Sequence, residues 1–456
     1  MAYNFIPCDR NPAYLLPPSL ADWLPQNHLA WFVLDVIRHI ALQPFYAKYR
    51  ADGIGHSAFD PSMMAGLLVY AYCTGERSSR RIEKYCQTDV AYKVVTANQL
   101  PDHSTISRFR KDNEANLKRL FLDVLRLCAE SGLVKLGTVS LDGTKIQANA
   151  SLAANRTLEP LKKEIDKMFS EAAVKDVEED KTYGKDKRGD ELPEDLRNHE
   201  DRLARLKACK ERLEREKAQA REAQQKKLDA REEKEERTGK KPRGRKPKSP
   251  DEVEGKEVQA NTTDPESRIM KTRKGYEQAF NAQAVATEDQ IIVAEEVTQQ
   301  ENDRQQLHPM LEQAESNRKQ VGIEEKIVVG LADAGYCGED NLTKKAAGDI
   351  ELLVATQKDW KQRKALRENP PQEGVPPEGL TATQLMERKL QTDRGRELYK
   401  IRGRTIEPVF GQIKEVRGFR SFMRRGLDAC RSEWSLICAT HNMLKLWRSG
   451  KAVWLT

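Results

Sequence analysis

From residue 20 to about 135 the apolar positions recur at helical spacing. "PSMMAGLLVYAYCTG" is apolar on nearly every side, and "NLKRLFLDVLRLCAESG" closes on Ser131-Gly132, a helix stop. The spacing predicts an all-helical N-terminal unit over 1–135. The pattern then changes to a β-type run in "GTVSLDGTKIQANAS", which predicts a first core strand within 136–151, ending on Asp142. Between 152 and 268 periodicity gives way to charge. Leu196, Leu203, Leu206 and Leu213 leave only a short heptad-like seam, too weak for a long coiled coil. The segment is expected to be a charged helical hairpin or arm without a core of its own, or a solvated, partly disordered insertion.

The β pattern returns in 269–456. "GYEQAFNAQAVATEDQIIVAEEVTQ" predicts two strands joined by Thr287-Glu288-Asp289, followed by a polar helix in "DRQQLHPMLEQAESNR". "KIVVGLADAGYCGEDNL" carries an apolar run that ends on Asp333, and "DIELLVATQ" predicts one strand more. The stretch "LYKIRGRTIEPVFGQIKEVRGFRSFMRRGL" predicts a helix bearing Glu407, with Pro408 in a first turn or at a kink. The last helix, in "EWSLICATHNMLKLWRSG", is expected to close the core with Trp434, Leu436, Leu444 and Trp447, and His441 to be a hydrogen-bonded helix residue. The fold class is therefore mixed α/β.

Asp142 has two readings. Asp-Gly is a common turn dipeptide, but a carboxylate ending a core strand needs an open site or a cationic partner. The order of elements favours the site. Two aspartates at the ends of neighbouring strands and a glutamate on a helix beside them can hold a pair of hard divalent cations through oxygen, the recurrent arrangement for phosphodiester chemistry. Glu339 and Asp340 follow Asp333 closely; Asp340 is expected to cap a helix and Glu339 to face solvent.

With 456 residues, 38% hydrophobic, the chain can bury at least one large core. The net charge of +7 matters only where it is clustered. One cluster is "GERSSRRIEKYC", with Arg77, Arg80 and Arg81 after a glycine and Ser78 and Ser79 available as a cap; a second is "PDHSTISRFRKD", with Arg108 and Arg110. Arginine at short capped helices suits a phosphate backbone and a helix-turn-helix-type module, although an ordinary solvated face has the same pattern. A third is "KKPRGRKPKSP" (240–250), similar to an AT-hook, in which Arg243 and Arg245 would enter a narrow minor groove. Lys246 stands where the hook core has proline, which leaves a basic linker equally open. Arg417, Arg420, Arg424 and Arg425 form a fourth, either a DNA track or the solvated rim of the interleaved Phe419 and Phe422, both expected in the core.

No apolar run reaches the ~18 residues of a membrane span, and the opening residues lack a secretory pattern. The eight cysteines include no metal-type pair and no disulfide framework, so a reducing cytoplasm is expected.

Along nearly its whole length the chain resembles the DDE transposases of bacterial insertion sequences, on "SSRRIEKYC", "PDHSTISRFR", "LDGTKIQANAS", "LADAGYCGEDNL" and "IEPVFGQIKEVRGFRSFMRRG". The resemblance implies a ribonuclease H-like catalytic core with Asp142, Asp333 and Glu407 as metal-binding triad. It implies two Mg²⁺ ions, with Mn²⁺ able to substitute. The family's Y-x2-R-x3-E-x6-K signature falls on Tyr399, Arg402, Glu407 and Lys414, with Arg402 one residue farther from Glu407 than in the signature. Arg402 and Lys414 are thereby expected at DNA. The implied partners are double-stranded DNA, as terminal inverted repeats and as target, and a second copy of the chain in a homodimer. The implied location is cytoplasmic and nucleoid-associated. A metal-dependent endonuclease without strand transfer, and a catalytically silent DNA-binding protein, are the alternatives.

Overall fold

The computed structural model describes residues 19–49, 57–168, 170, 194–239, 248–249, 258–272, 275–370, 374 and 376–452. Its N-terminal region is helical, with helices Leu29–Arg38, Pro61–Cys73, Ser79–Thr88, Val90–Val95, His103–Asp112 and Glu114–Glu130. Asp60, Asp89 and Asp102 start three of them by accepting the first free N–H groups. Ser78 makes no such side-chain bond; Glu76 accepts the N–H groups of Arg77 and Ser78 in its place. The uniformly apolar Pro61–Cys73 helix is buried on almost every side.

Among the described residues eight strands follow: β1 (Thr138–Gln147), β2 (Asn155–Arg156), β3 (Ala260–Asn261), β4 (Arg268–Thr272), β5 (Gly275–Thr287), β6 (Ile292–Thr298), β7 (Val329–Ala332) and β8 (Glu351–Val354). Six form one mixed sheet in the order β4-β5-β1-β7-β8, with β6 also on β5. β1 is antiparallel to β5 along its length, from Val139 opposite Thr287 to Gln147 opposite Ala279. It is parallel to β7 only from Thr138 to Ser140. β1 therefore does not end on Asp142. The strand continues to Gln147, and what stops beside Asp142 is the ladder to β7.

The Leu427–Ser449 helix lies between β6 and the Glu114–Glu130 helix and buries Trp434, Leu436 and Leu444, with Trp447 half-buried. Its polar side chains are inside too. Asn442 bonds both the N–H and the C=O of Ile292, Asn317 donates to Val293 and Gln313 to the Glu295 carbonyl, so the outer edge of β6 is covered by amides. His441 is a buried, hydrogen-bonded helix residue, as expected; its Nε2 meets the Gln290 carbonyl at 3.0 Å, and burial pushes its pKa down to about 3.

The insertion leaves and returns through the β2–β3 ladder. It contains a helix over 158–168 and the 45-residue helix Glu194–Thr238. Contrary to expectation it has a small core of its own: Leu161, Ile165 and Met168 pack with Leu206, Cys209 and Leu213, and Leu203 lies against them. Arg212, buried, donates to the carbonyls of Gln259, Pro265 and Ser267 and holds the long helix to the returning chain.

Glu295 on β6 is buried with Ser435 donating to it at 2.6 Å, and desolvation pushes its pKa up to about 8. The folded state thus favours the protonated acid. The stability this confers is present below the ordinary carboxylate pKa and is lost as pH rises towards 8. Glu295→Gln should remove a loss of up to about 1.4 kcal/mol per pH unit across that window, measured by urea denaturation of both proteins at several pH values. Parallel stability curves for the two would show that Glu295 does not titrate there.

Candidate active site

Ser140 and Leu331 are the last paired residues of β1 and β7. Asp142 and Asp333 each follow their paired residue by two positions, so both stand where the two strands part. Asp333 starts the 3-10 turn Ala334–Tyr336, its Oδ1 accepting the Gly335 N–H at 2.8 Å. The Asp393–Gly411 helix packs across β1, β5 and β7 and is pinned by a 2.6 Å bond between Thr405 Oγ1 and Ser140 Oγ. That anchor sets Arg402 and Glu407 over the gap. Arg402 Nη2 lies 2.9 Å from Asp142 Oδ2 and 4.0 Å from Asp333 Oδ2, while its Nη1 lies 3.4 Å from Glu407 Oε1. One buried guanidinium thus collects all three acids. Glu407 also accepts from Arg363 at 2.9 Å.

The electrostatics follow from burial. Desolvation, with Asp333 and Asp303 adding like charge, pushes the Asp142 carboxyl up to about 7, against the opposing pull of Arg402 and the Gly143 N–H. The donor set, three carboxylates, fits a hard divalent cation. Among the described residues no three His, Cys, Asp or Glu side chains stand close enough to hold a metal ion as they are placed. A cation, the Arg402 guanidinium, already joins these acids.

The other face of the sheet carries an acid that the strand-end pattern does not reveal. Asp303 Oδ1 accepts from Asn281 at 2.6 Å and Gln283 at 2.7 Å and lies 3.5 Å from Lys145 Nζ. Gln283 in turn accepts the Tyr336 hydroxyl, so Asp303 ties β1 and β5 to the turn that holds Asp333. Gly143 belongs to this arrangement: a Cβ there would collide with Gln283 and Asp303.

Two family comparisons match the chain, a transposase domain (DUF772) over residues 18–112 and a transposase DDE domain over residues 251–443. The chain belongs to the DDE transposases of insertion sequences. Asp333 and Glu407 fall within the second span; Asp142 falls between the two. No curated protein and no solved structure matches the transposase.

The transposase places the other expected residues unequally. Arg80, Arg81 and Arg108 are exposed, with Arg81 paired to Glu76 at 2.7 Å. Three others are corrected, because their guanidiniums are turned into the protein and bonded there. Arg77 donates to the Ser421 carbonyl and lies over the Phe419 ring. Arg110 donates to the Arg77 carbonyl and stacks on Tyr72. Arg417 donates to the Tyr72 and Ile437 carbonyls and to Thr440. Phe419 and Phe422 are core residues, as expected, and Arg424 pairs with Glu114. Arg402 serves the acids, and Lys414 bonds Thr144 Oγ1 at 2.6 Å and the Lys145 carbonyl at 2.8 Å, bracing β1. Asp340 is no cap; it lies within the first turn of the Glu339–Thr343 helix and pairs with Arg304. Glu339 is exposed, as expected. Arg243 and Arg245 lie outside the described residues.

Pro408 is not in a first turn but near the end of the Asp393–Gly411 helix. It has no N–H for the Arg404 carbonyl, which accepts from Gln290 Nε2 at 3.0 Å instead, and the chain then widens into a π-helical turn, Gln412–Val416. That turn carries Lys414.

Asp303→Asn removes the charge shared by two amides and Lys145. It should cost about 2 kcal/mol in urea denaturation, and Gly143→Ala should cost at least as much by displacing the same groups. Unchanged stability in both variants would mean that the network contributes nothing.

Proposed function

We propose that the transposase cleaves DNA at the ends of its element and joins the freed 3′-hydroxyl to target DNA, using Asp142, Asp333 and Glu407 in a ribonuclease H-like core. The observation that carries this reading is the convergence of those three acids on the Arg402 guanidinium. A mixed sheet whose antiparallel half, β6-β5-β1, continues into parallel β7 and β8 supports the ribonuclease H-like assignment. In domain terms, 136–151 and 269–456 form the core, 1–135 a helical DNA-binding unit, and 152–268 the insertion.

The family is generally divalent-metal dependent. Mg²⁺ ions, or Mn²⁺ in their place, held by the three acids would activate the attacking oxygen and stabilise the leaving one. The chain's own residues prepare the site. Arg402 keeps the acids together, Thr405 and Ser140 fix the helix against β1, and Lys414 braces β1 just beyond Asp142. Exposed Arg80, Arg81 and Arg108 meet phosphates of the terminal repeats, and a homodimer holds the two ends. Among the described residues no helix is long and apolar enough to cross a membrane. A cytoplasmic, nucleoid-associated location goes with this reading.

Asp142→Asn and Asp333→Asn should each lower Mg²⁺-dependent cleavage of an end-bearing duplex by at least ~10²-fold while leaving its binding within about twofold. Near wild-type cleavage by either variant would remove that residue from the site. A strand-transfer assay on the same duplex separates a transposase from a nuclease that only cuts. Replacing Arg80 and Arg108 by alanine should reduce the salt slope of end binding by about two, and an unchanged slope would take these helices off the DNA.

A further inference from the structure

Asp303, the acid that the strand ends do not reveal, sits at the start of a one-way chain of hydrogen bonds. Asn281 and Gln283 stand on β5 opposite Lys145 and Gly143 of β1, and both amides are fully buried, as is Tyr336. A carboxylate can only accept hydrogen bonds, whereas an amide has a donating and an accepting end that a half-turn exchanges. Asp303 removes that freedom. Its Oδ1 accepts from Asn281 Nδ2 at 2.6 Å and from Gln283 Nε2 at 2.7 Å, and Gln283 Nε2 also donates to Asn281 Oδ1 at 3.1 Å. With its two N–H groups used in this way, Gln283 offers only Oε1, and the Tyr336 hydroxyl donates to it. The direction of each bond is set from Asp303.

The chain of bonds ends in the turn that carries Asp333. Its strand side is firm, because the Gln283 carbonyl accepts Trp434 Nε1 of the Leu427–Ser449 helix at 3.0 Å. Its other side is the 3-10 turn Ala334–Tyr336, where Asp333 Oδ1 accepts the Gly335 N–H and Oδ2 is left on the side of Arg402. A Cβ at Gly335 would stand 2.9 Å from Asp333 Oδ1 and 3.4 Å from Asp303 Oδ2, so the turn is held between the two acids in space that a side chain would need. We infer that Asp303 is a positioning residue for the reaction: through Gln283 and the Tyr336 hydroxyl it fixes the turn so that one oxygen of Asp333 is presented to a divalent cation. The charge of Asp303 is taken up by the two amides and by Lys145 Nζ at 3.5 Å, which makes it a holder of Asp333 and not a fourth ligand. Partners that order a ligand in this way raise the affinity of a metal site. The inference rests on the proposal that Asp333 binds metal.

The test compares Tyr336→Phe and Asp303→Asn in the full chain. Tyr336→Phe keeps the ring and every charge and removes only the last bond of the chain, so it decides the matter even if Asp303→Asn does not fold. In cleavage of an end-bearing duplex at increasing Mg²⁺, each variant should need at least ~10-fold more Mg²⁺ for half-saturation and should reach a saturated rate within about threefold of wild type. The double variant should be no worse than the worse single one, since both break the same chain of bonds. Backbone hydrogen exchange of the peptide spanning 333–337, measured without metal or DNA, should be at least ~10-fold faster in both variants, with exchange in the Leu427–Ser449 helix unchanged in Tyr336→Phe. A raised Mg²⁺ requirement in Asp303→Asn alone would assign the effect to lost charge and overturn the inference. So would unaltered exchange at 333–337 in either variant, additive losses in the double variant, or a lower saturated rate with no change in Mg²⁺ requirement. Wild-type cleavage by Asp333→Asn would instead remove Asp333 from the site, and exchange at 333–337 would still decide whether Asp303 orders the turn.

Discussion

Three carboxylates that must meet in one place repel one another, and the structure around them is arranged to offset that repulsion. The burial of Arg402 is the answer. A guanidinium is costly to remove from water, but here each end finds an acid, and the ionic contacts hold Asp142, Asp333 and Glu407 at distances their own charges oppose. The demands on the rest of the fold follow from it. β7 must stop early enough to leave Asp333 in the gap, and the helix bearing Arg402 and Glu407 must lie against β1 with little freedom. The Thr405–Ser140 bond and the Gln290 amide that replaces the hydrogen bond lost at Pro408 supply that restraint.

Much of this was legible in the sequence. Apolar runs closing on Asp333 and preceding Asp142, together with a glutamate on a late helix, indicated where acids could gather. The order of strands and helices came from changes in period, which depend on local burial alone. What could not be read depends on contacts between distant segments. By pattern alone Asp142 reads as a strand end, because Gly143 looks like a turn until Asp303 and Gln283 are seen to occupy the space a side chain would need. Asp303 itself lies in a polar stretch with no pattern to single it out. Arginine is the least legible residue of all. Arg77, Arg110 and Arg417 share the spacing of exposed arginines, yet their planar heads satisfy buried carbonyls and stack on rings, and no periodicity separates the two uses.

The insertion shows the same limit on a larger scale. Its leucines were too few for a coiled coil, but Leu203, Leu206 and Leu213 needed only a short partner helix over 158–168 to be covered. The two-residue ladder of β2 and β3 brings entry and exit together, so a long excursion is accommodated without disturbing the sheet on either side.

The buried arginines also bear on how such a chain can be rearranged. Arg417 bonds the Tyr72 carbonyl and Arg77 the Ser421 carbonyl, each reaching from one family-matched region into the other. Each of these bonds crosses between the two regions, so separating them would exchange protein partners for water at both groups. A hybrid made by exchanging the N-terminal region between distant relatives would have to match this polar seam, where a flexible tether would be forgiving.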